Sequence, residues 1–136
     1  MDMAIPDEFL YEYAVVRYVP RVEREEFVNI GLLMMCKRRK WMKGEIRLDR
    51  DRILAFDSSV NFPCLEQQSS LFTRLDVPSV DIPVEERYRW LTAVKSAVLQ
   101  VSSSHPGYIP ETSDTSARPE DLLEEEFRRL FSRLVC

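Results

Sequence analysis

The first 49 residues contain three strand-like segments joined by short connections, and this pattern limits the possible folds more than any other feature. Residues 11–19 are rich in aromatic and β-branched side chains and are closed by Pro20, and residues 27–36 are mostly apolar. Residues 44–49 alternate apolar and charged side chains, as in a strand with one buried face. Because consecutive strands with short loops pair with each other, the pattern predicts an antiparallel meander rather than a βαβ unit.

After residue 49 the apolar spacing becomes helical. Asn61-Phe62-Pro63 is typical of a helix start and predicts a helix over 63–75. Apolar residues at helical spacing predict a second helix over 84–99. The third, over 119–135, begins with proline, has acidic residues in its first half and arginines in its second, and so complements the helix dipole.

These elements predict an α+β fold, a three-stranded antiparallel sheet packed with about three helices in a single domain, residues 1–136. Residues 98–104 are a candidate fourth, edge strand, and residues 50–56 are compatible with a short helical turn. The polar, turn-rich stretch 102–118 is predicted to be a loop.

Composition disfavours several classes of function. No apolar run approaches the roughly 20 residues of a membrane span, and the acidic N-terminus lacks a signal pattern, so we expect a cytoplasmic protein that does not bind membranes. The chain has three cysteines without a CxxC pair and a single histidine, which disfavours a zinc site and a catalytic triad. We therefore expect no catalytic residues, no metal and no cofactor, which disfavours an enzyme without excluding one.

Charge is distributed unevenly along the chain, although the net charge is only −4. Residues 37–52 hold eight basic and three acidic side chains, whereas residues 102–126 hold seven acidic side chains and one arginine. Such segregation marks either a surface for a partner or two regions that face each other, and we favour the second.

The densest positive charge forms a basic patch around a predicted turn. Lysines and arginines beside a tryptophan suit nucleic acid, because the cations contact phosphates and the indole stacks on a base. A solvated hairpin tip, whose charges discourage edge pairing, explains the same residues and is favoured here. The patch consists of Lys37, Arg38, Arg39, Lys40, Trp41 and Lys43.

An amide and a glycine interrupt the apolar second strand at Asn29 and Gly31. A symmetric hairpin pairs Arg17 with Asn29 and Val15 with Gly31, and it places Leu32 on the same face as Ile30. Gly31 then either marks a bulge or close packing, or leaves a gap that admits a ligand beside Arg17 and Asn29. We favour the structural interpretation.

The same region resembles a bacterial family catalogued as domain of unknown function 3037, and residues 130–135 resemble the family's closing helix. The family has no established activity. The resemblance implies a protein partner, because members are often encoded beside a kinase-like protein of the HipA type. The matching residues are Arg17, Tyr18, Pro20, Arg24, Glu26, Asn29 and Gly31.

Three hypotheses of function follow. The leading one is a non-enzymatic protein-binding or adaptor module, with a HipA-like kinase as the implied partner. The alternatives are nucleic-acid binding through residues 37–43, and a small-ligand or enzymatic site around Arg17, Glu26 and Asn29. An exposed sheet face is also compatible with a homo-oligomer. The candidate functional motif is Arg17, Tyr18, Glu26, Asn29 and Gly31.

Overall fold

The protein is built on one antiparallel sheet. The computed structural model describes residues 10–74, 76, 78–94, 96, 98–109 and 118–136. The α+β class and the antiparallel sheet are as predicted, but within these residues the sheet has five strands rather than three or four. The strands are β1 (Leu10–Tyr18), β2 (Val28–Cys36), β3 (Trp41–Ile46), β4 (Leu99–Val101) and β5 (His105–Tyr108).

The strands are arranged in the order β3-β2-β1-β4, and β5 also pairs with β1. The first residues of β1 pair with β5, and its last three pair with β4, so two short strands share one edge position. The predicted edge strand at 98–104 is therefore present as β4. The prediction of a loop was wrong at 105–108, because these residues supply hydrogen-bond partners to the start of β1, and Pro106 is tolerated at an edge.

In the described part of the chain four α-helices cover the sheet, and about three were predicted. The predicted helix at 84–99 was wrong after Thr92, because Leu99–Val101 pairs with β1 and the Ser96 hydroxyl accepts the N–H groups that lead into this strand. The 63–75 helix ends as a 3₁₀ helix, Ser70–Thr73. The helices are α1 (Arg50–Phe56), α2 (Phe62–Ser69), α3 (Val84–Thr92) and α4 (Pro119–Leu134).

The third strand lies earlier than predicted. The turn occupies only residues 37–40, where Lys40 takes the left-handed conformation with φ 51°, and β3 begins at once with Trp41. Gly44 therefore lies inside the strand and not in the turn. A β-carbon at Gly44 would collide with the carbonyl oxygen of Phe72, so the glycine permits close packing of the 3₁₀ helix.

A bulge in β2 divides the hairpin into two registers. Arg17 lies opposite Asn29 as predicted, but Val16, not Val15, lies opposite Gly31, so Ile30 is the extra residue. The extra residue turns Leu32 to the face opposite Ile30, and the prediction that they share a face was wrong.

Both faces of the sheet are buried. One face packs against α1, α2 and α3, and the other packs against α4, whose apolar side chains are buried there. The first core includes Ala14, Val16, Tyr18, Val28, Ile30, Leu33, Met35, Ile53, Leu65, Phe72, Tyr88 and Leu91, and the second includes Tyr11, Val15, Leu32, Met34, Cys36, Leu123, Phe127, Leu130 and Phe131.

Candidate functional site

Arg17 and Asn29 lie opposite each other where β1 and β2 pass the end of α4. The Asn29 side-chain Nδ2 donates to the Leu134 carbonyl oxygen at 2.9 Å, and the Arg17 guanidinium lies 4.1 Å above the ring centre of Phe27. The Nε of Arg17 and the Oδ1 of Asn29 are buried without a hydrogen-bond partner among the described residues. Asn29 thus fastens the last turn of a helix that is distant in sequence.

Arginine side chains reach the same helix end. The Arg52 guanidinium donates to the Val135 carbonyl oxygen at 2.9 Å, and that of Arg47 lies 2.9 Å from the Cys136 sulfur. The last carbonyl groups of a helix lack intrahelical donors and carry partial negative charge, so an amide and a guanidinium both stabilise them. This environment supports a structural role for Asn29.

Gly31 leaves no gap for a ligand. A β-carbon there would lie 2.8 Å from the Glu45 carbonyl oxygen and 3.3 Å from the β-carbon of Val16, and closer still to the Ile46 side chain. The space beside the glycine is therefore filled by β3. This packing also supports a structural role.

Tyr18 points to the opposite face from Arg17. Its hydroxyl donates to Oδ2 of Asp57 at 2.5 Å, while Oδ1 of Asp57 accepts from the N–H and hydroxyl of Ser59 at 3.1 and 2.8 Å. The Tyr18 hydrogen bond, with those of Ser59, holds the pKa of Asp57 below its usual value, and burial raises the pKa of Tyr18. These bonds fix the turn that follows α1 against the end of β1.

The remaining motif position, Glu26, lies in a surface cleft of about 250 Å³. Its carboxylate is 3.1 Å from the Arg24 guanidinium, and both side chains are more than half exposed. Arg21 makes no hydrogen bond or ion pair with any residue that the structure describes. We call this the loop cleft; it is lined by Pro20, Arg21, Arg24, Glu26, Phe56, Asp57, Ser58 and Ser59.

The β1–β2 loop, residues 19–27, forms one wall of the loop cleft. It contains a 3₁₀ helix, Val22–Arg24, that ends at Glu25 in the left-handed conformation with φ 55°. The loop leaves two apolar side chains in solvent, since Val22 is 55% and Phe27 is 44% exposed. Contiguous exposed apolar patches mark protein-binding surfaces, so Val22 and Phe27 are the positions of this loop at which to test for one.

The structure divides the basic patch. Lys37, Arg38 and Lys40 are exposed, whereas Trp41 is half-buried and packs against the α4 core. Lys43 lies in β3 and contacts Glu124 of α4 at 2.8 Å. The indole is therefore held by the core, and part of the positive charge is neutralised within the molecule.

A second ionic contact joins α4 to β3 with the opposite polarity. The Arg128 guanidinium of α4 donates twice to the Glu45 carboxylate of β3, both at 2.6 Å. This pairing lowers the pKa of Glu45. The interpretation that the basic and acidic regions meet is supported by the contact between Lys43 and Glu124.

A second cleft of about 620 Å³ opens beside the exposed half of the basic patch. Its walls combine apolar side chains with two cations and one carboxylate, so it differs in character from the loop cleft. We call it the turn cleft; it is lined by Leu10, Tyr11, Glu12, Met35, Lys37, Arg38 and Pro106.

The sequence analysis did not single out Arg21, Asp57, Ser58 or Ser59 as site residues. Asp57-Ser58-Ser59 follows the pattern of an aspartate that bonds the backbone two residues ahead, which could have marked a turn. No local signal placed that turn beside the β1–β2 loop, because the two segments are more than 30 residues apart in sequence.

These features define a small α+β domain with two surface clefts of different chemistry. Among the residues that the structure describes, no group of three or more His, Cys, Asp and Glu side chains could hold a metal ion. None of the described helices combines the length and apolar character needed to cross a membrane.

The chain belongs to the family described as protein of unknown function DUF3037, whose model matches residues 13–135. This confirms the resemblance noted in the sequence. Comparisons with curated proteins and with solved structures found no match.

Proposed function

We propose that this chain is a protein-binding module, and that a partner protein docks on the β1–β2 loop and the loop cleft beside it. The observation that carries the proposal is the exposure of Val22 and Phe27, two apolar side chains placed among charged ones. Aromatic and arginine side chains supply most of the energy at protein interfaces, and this loop presents both kinds.

The size of the loop cleft favours a protein over a small molecule. At about 250 Å³ it is smaller than most ligand pockets, which enclose roughly 300–1,000 Å³. A cleft of this size accommodates one side chain of a partner, while the loop supplies the rest of the contact area. Stacking on Arg17 holds Phe27 in place before binding, which lowers the entropic cost.

The charge of the loop cleft favours an acidic segment of the partner. Arg21 forms no hydrogen bond or ion pair with a described residue, and its charge helps to lower the pKa of Asp57 across the cleft. The exposed pair between Arg24 and Glu26 is of a kind that contributes only about 0–1 kcal/mol. An incoming carboxylate can therefore engage Arg21 and compete with Glu26 for Arg24. The acceptors of Asp57 are occupied by Tyr18 and Ser59, so Asp57 attracts Arg21 through its charge and not through a hydrogen bond.

The family resemblance implies a kinase-like protein of the HipA type as the partner to test first. We expect the purified HipA-like protein of the same host to bind the full chain in isothermal titration calorimetry. Phe27→Ala is expected to weaken binding by at least about tenfold, because hot-spot side chains contribute about 2 kcal/mol or more. Arg21→Glu is expected to weaken it further, by repelling the acidic segment.

Trp90→Ala and Arg89→Glu are the matched controls, since both residues are exposed on α3 and neither lines the loop cleft. They should leave the affinity within about twofold, because surface changes outside an interface have little effect. Absence of binding to the HipA-like protein would refute that partner. Equal loss of affinity in the control variants would refute the loop as the docking site.

A further inference from the structure

We propose that the turn cleft is a binding site for an organic anion with an apolar body, of the kind exemplified by a medium-chain carboxylate. This site lies at the other end of β1 and β2 from the β1–β2 loop, so the inference is independent of the proposed protein-binding surface. Its volume of about 620 Å³ falls within the range of small-molecule pockets.

The apolar part of the cleft is largely preformed. The Tyr11 hydroxyl donates to Glu126, which Arg129 also holds at 2.7 and 2.8 Å, so the start of β1 is held in place beside the cleft from the face of the second core. Met35, only 2% exposed, is packed in the first core where it borders the cleft. Leu10, 37% exposed, and Pro106 complete an apolar surface that suits a hydrocarbon or aromatic body.

Two cations at the cleft lack a counter-charge within the part of the chain that the structure describes. The side chains of Lys37 and Arg38 form no hydrogen bond or ion pair there, whereas Lys43 is paired with Glu124. Glu12, which also lines the cleft, accepts a hydrogen bond from Ser104 at 3.2 Å. The described lining therefore carries one net positive charge, and its cations are available to a carboxylate, sulfonate or phosphate.

The same geometry disfavours a nucleic-acid strand as the occupant. Stacking of bases needs an accessible aromatic face, but Trp41 packs against the α4 core and Tyr11 is buried to 5% exposure. An anionic head group on the rim with an apolar body along Leu10 and Met35 uses both parts of the cleft. A simple inorganic anion would use only the rim.

The test is a titration of the full chain with octanoate, below its micelle concentration, followed by backbone amide NMR. We expect the signals of residues 10–12 and 35–38 to shift in a saturable manner. Acetate, which has the head group alone, and octanol, which has the body alone, should each bind at least about tenfold more weakly. No saturable shift with octanoate, or equal binding of acetate, would overturn the proposal.

Variants test the two halves of the cleft separately. The double variant Lys37→Gln/Arg38→Gln should weaken octanoate binding by at least about tenfold, since it removes two charged donors. Leu10→Gln should weaken octanoate but leave the weak response to acetate unchanged. Lys40→Gln is the control, because it removes a positive charge of the same turn outside the cleft lining.

All four substituted positions are exposed, and unchanged amide spectra outside the cleft report an intact fold. If Lys40→Gln weakens octanoate as much as the double variant does, the interaction is with the general charge of the turn, and the site is refuted. The turn would be assigned to nucleic acid instead if a single-stranded oligonucleotide bound more tightly than octanoate and if Lys40→Gln weakened that binding.

Discussion

Asn29 illustrates how a polar residue in an apolar strand can serve the fold. Its Nδ2 donates to Leu134, and it lies opposite Arg17 at the point where the hairpin register changes. This amide donates a hydrogen bond to a carbonyl oxygen at the end of α4, which lies more than 100 residues later in the sequence. The polar side chain of Asn29 is explained by this tertiary contact, and the local sequence of the strand does not explain it.

We expect Asn29→Ala to lower the free energy of unfolding by about 1–2 kcal/mol, because a hydrogen bond to a half-buried carbonyl is lost. Urea denaturation at neutral pH measures this change. Gln100→Ala is the control, since Gln100 lies on the other side of Arg17 and its side chain has no hydrogen bond among the described residues. A control as destabilised as Asn29→Ala would show that the bond to Leu134 is unimportant.

Tyr18 and Asp57 predict a dependence of stability on pH. The hydrogen bond from Tyr18 lowers the pKa of Asp57 below its ordinary value of 3.8. A carboxyl group with a depressed folded-state pKa stabilises the fold fully above its unfolded pKa, and this contribution is lost as the pH falls through the folded pKa. We therefore expect Tyr18→Phe to be destabilised at neutral pH and to approach the wild type in acid.

The measurement is the free energy of unfolding of both proteins in urea from pH 7 to below 3.8. A difference that stays constant across this interval would contradict the role of the Asp57 charge. Tyr13→Phe is the control, because Tyr13 is a half-buried tyrosine of the same strand whose hydroxyl has no hydrogen-bond partner among the described residues.

At the level of elements, α4 is attached to the sheet by two kinds of contact. Its apolar stripe packs on Leu32 and Met34, which the bulge has turned to this face. Its charged side chains contact β3 through Glu124 and Arg128. The apolar contacts are buried and the ionic ones are half-exposed, so burial should dominate the attachment.

This balance predicts different effects for neighbouring substitutions. Phe127→Ala should cost about 3–5 kcal/mol, because it removes a fully buried ring. Arg128→Met should cost no more than about 1 kcal/mol, and the loss should shrink in 1 M NaCl, because the pair with Glu45 is exposed and screened. Urea denaturation at low and high salt measures both, and a larger loss for Arg128→Met would reverse the ranking.

At the scale of the whole molecule, the described strands form one sheet with a core on each face. This arrangement brings charged side chains of α4 to β3: Glu124 contacts Lys43, and Arg128 pairs with Glu45. The two proposed sites, the β1–β2 loop and the turn cleft, lie at opposite ends of the central hairpin, so the two proposals can be tested independently of each other.

Much of the fold follows from local patterns. The periodicity of the apolar residues and the helix-capping residues predict the meander of the first three strands and the apolar stripe of α4. Each pattern is repeated over several turns or strand residues. The end of α3 at Thr92 and the strand β5 do not follow from them, because pairing with β1 outweighed the local preferences of 99–101 and 105–108. Of the loop cleft, the sequence analysis named Pro20, Arg24 and Glu26 but not the other wall, since that wall comes from the turn after α1.

The sequence by itself determined the α+β class, the antiparallel pairing of the hairpin and the membership of the family, because these depend on patterns within short stretches. Only the tertiary structure decided what Asn29 and Gly31 do. The bulge at Ile30 changes which face every later β2 side chain occupies, and a single extra residue leaves no periodic signal in the sequence. The tertiary contacts of Asn29 with α4 and of Gly31 with β3 assign the two residues to the packing of the fold.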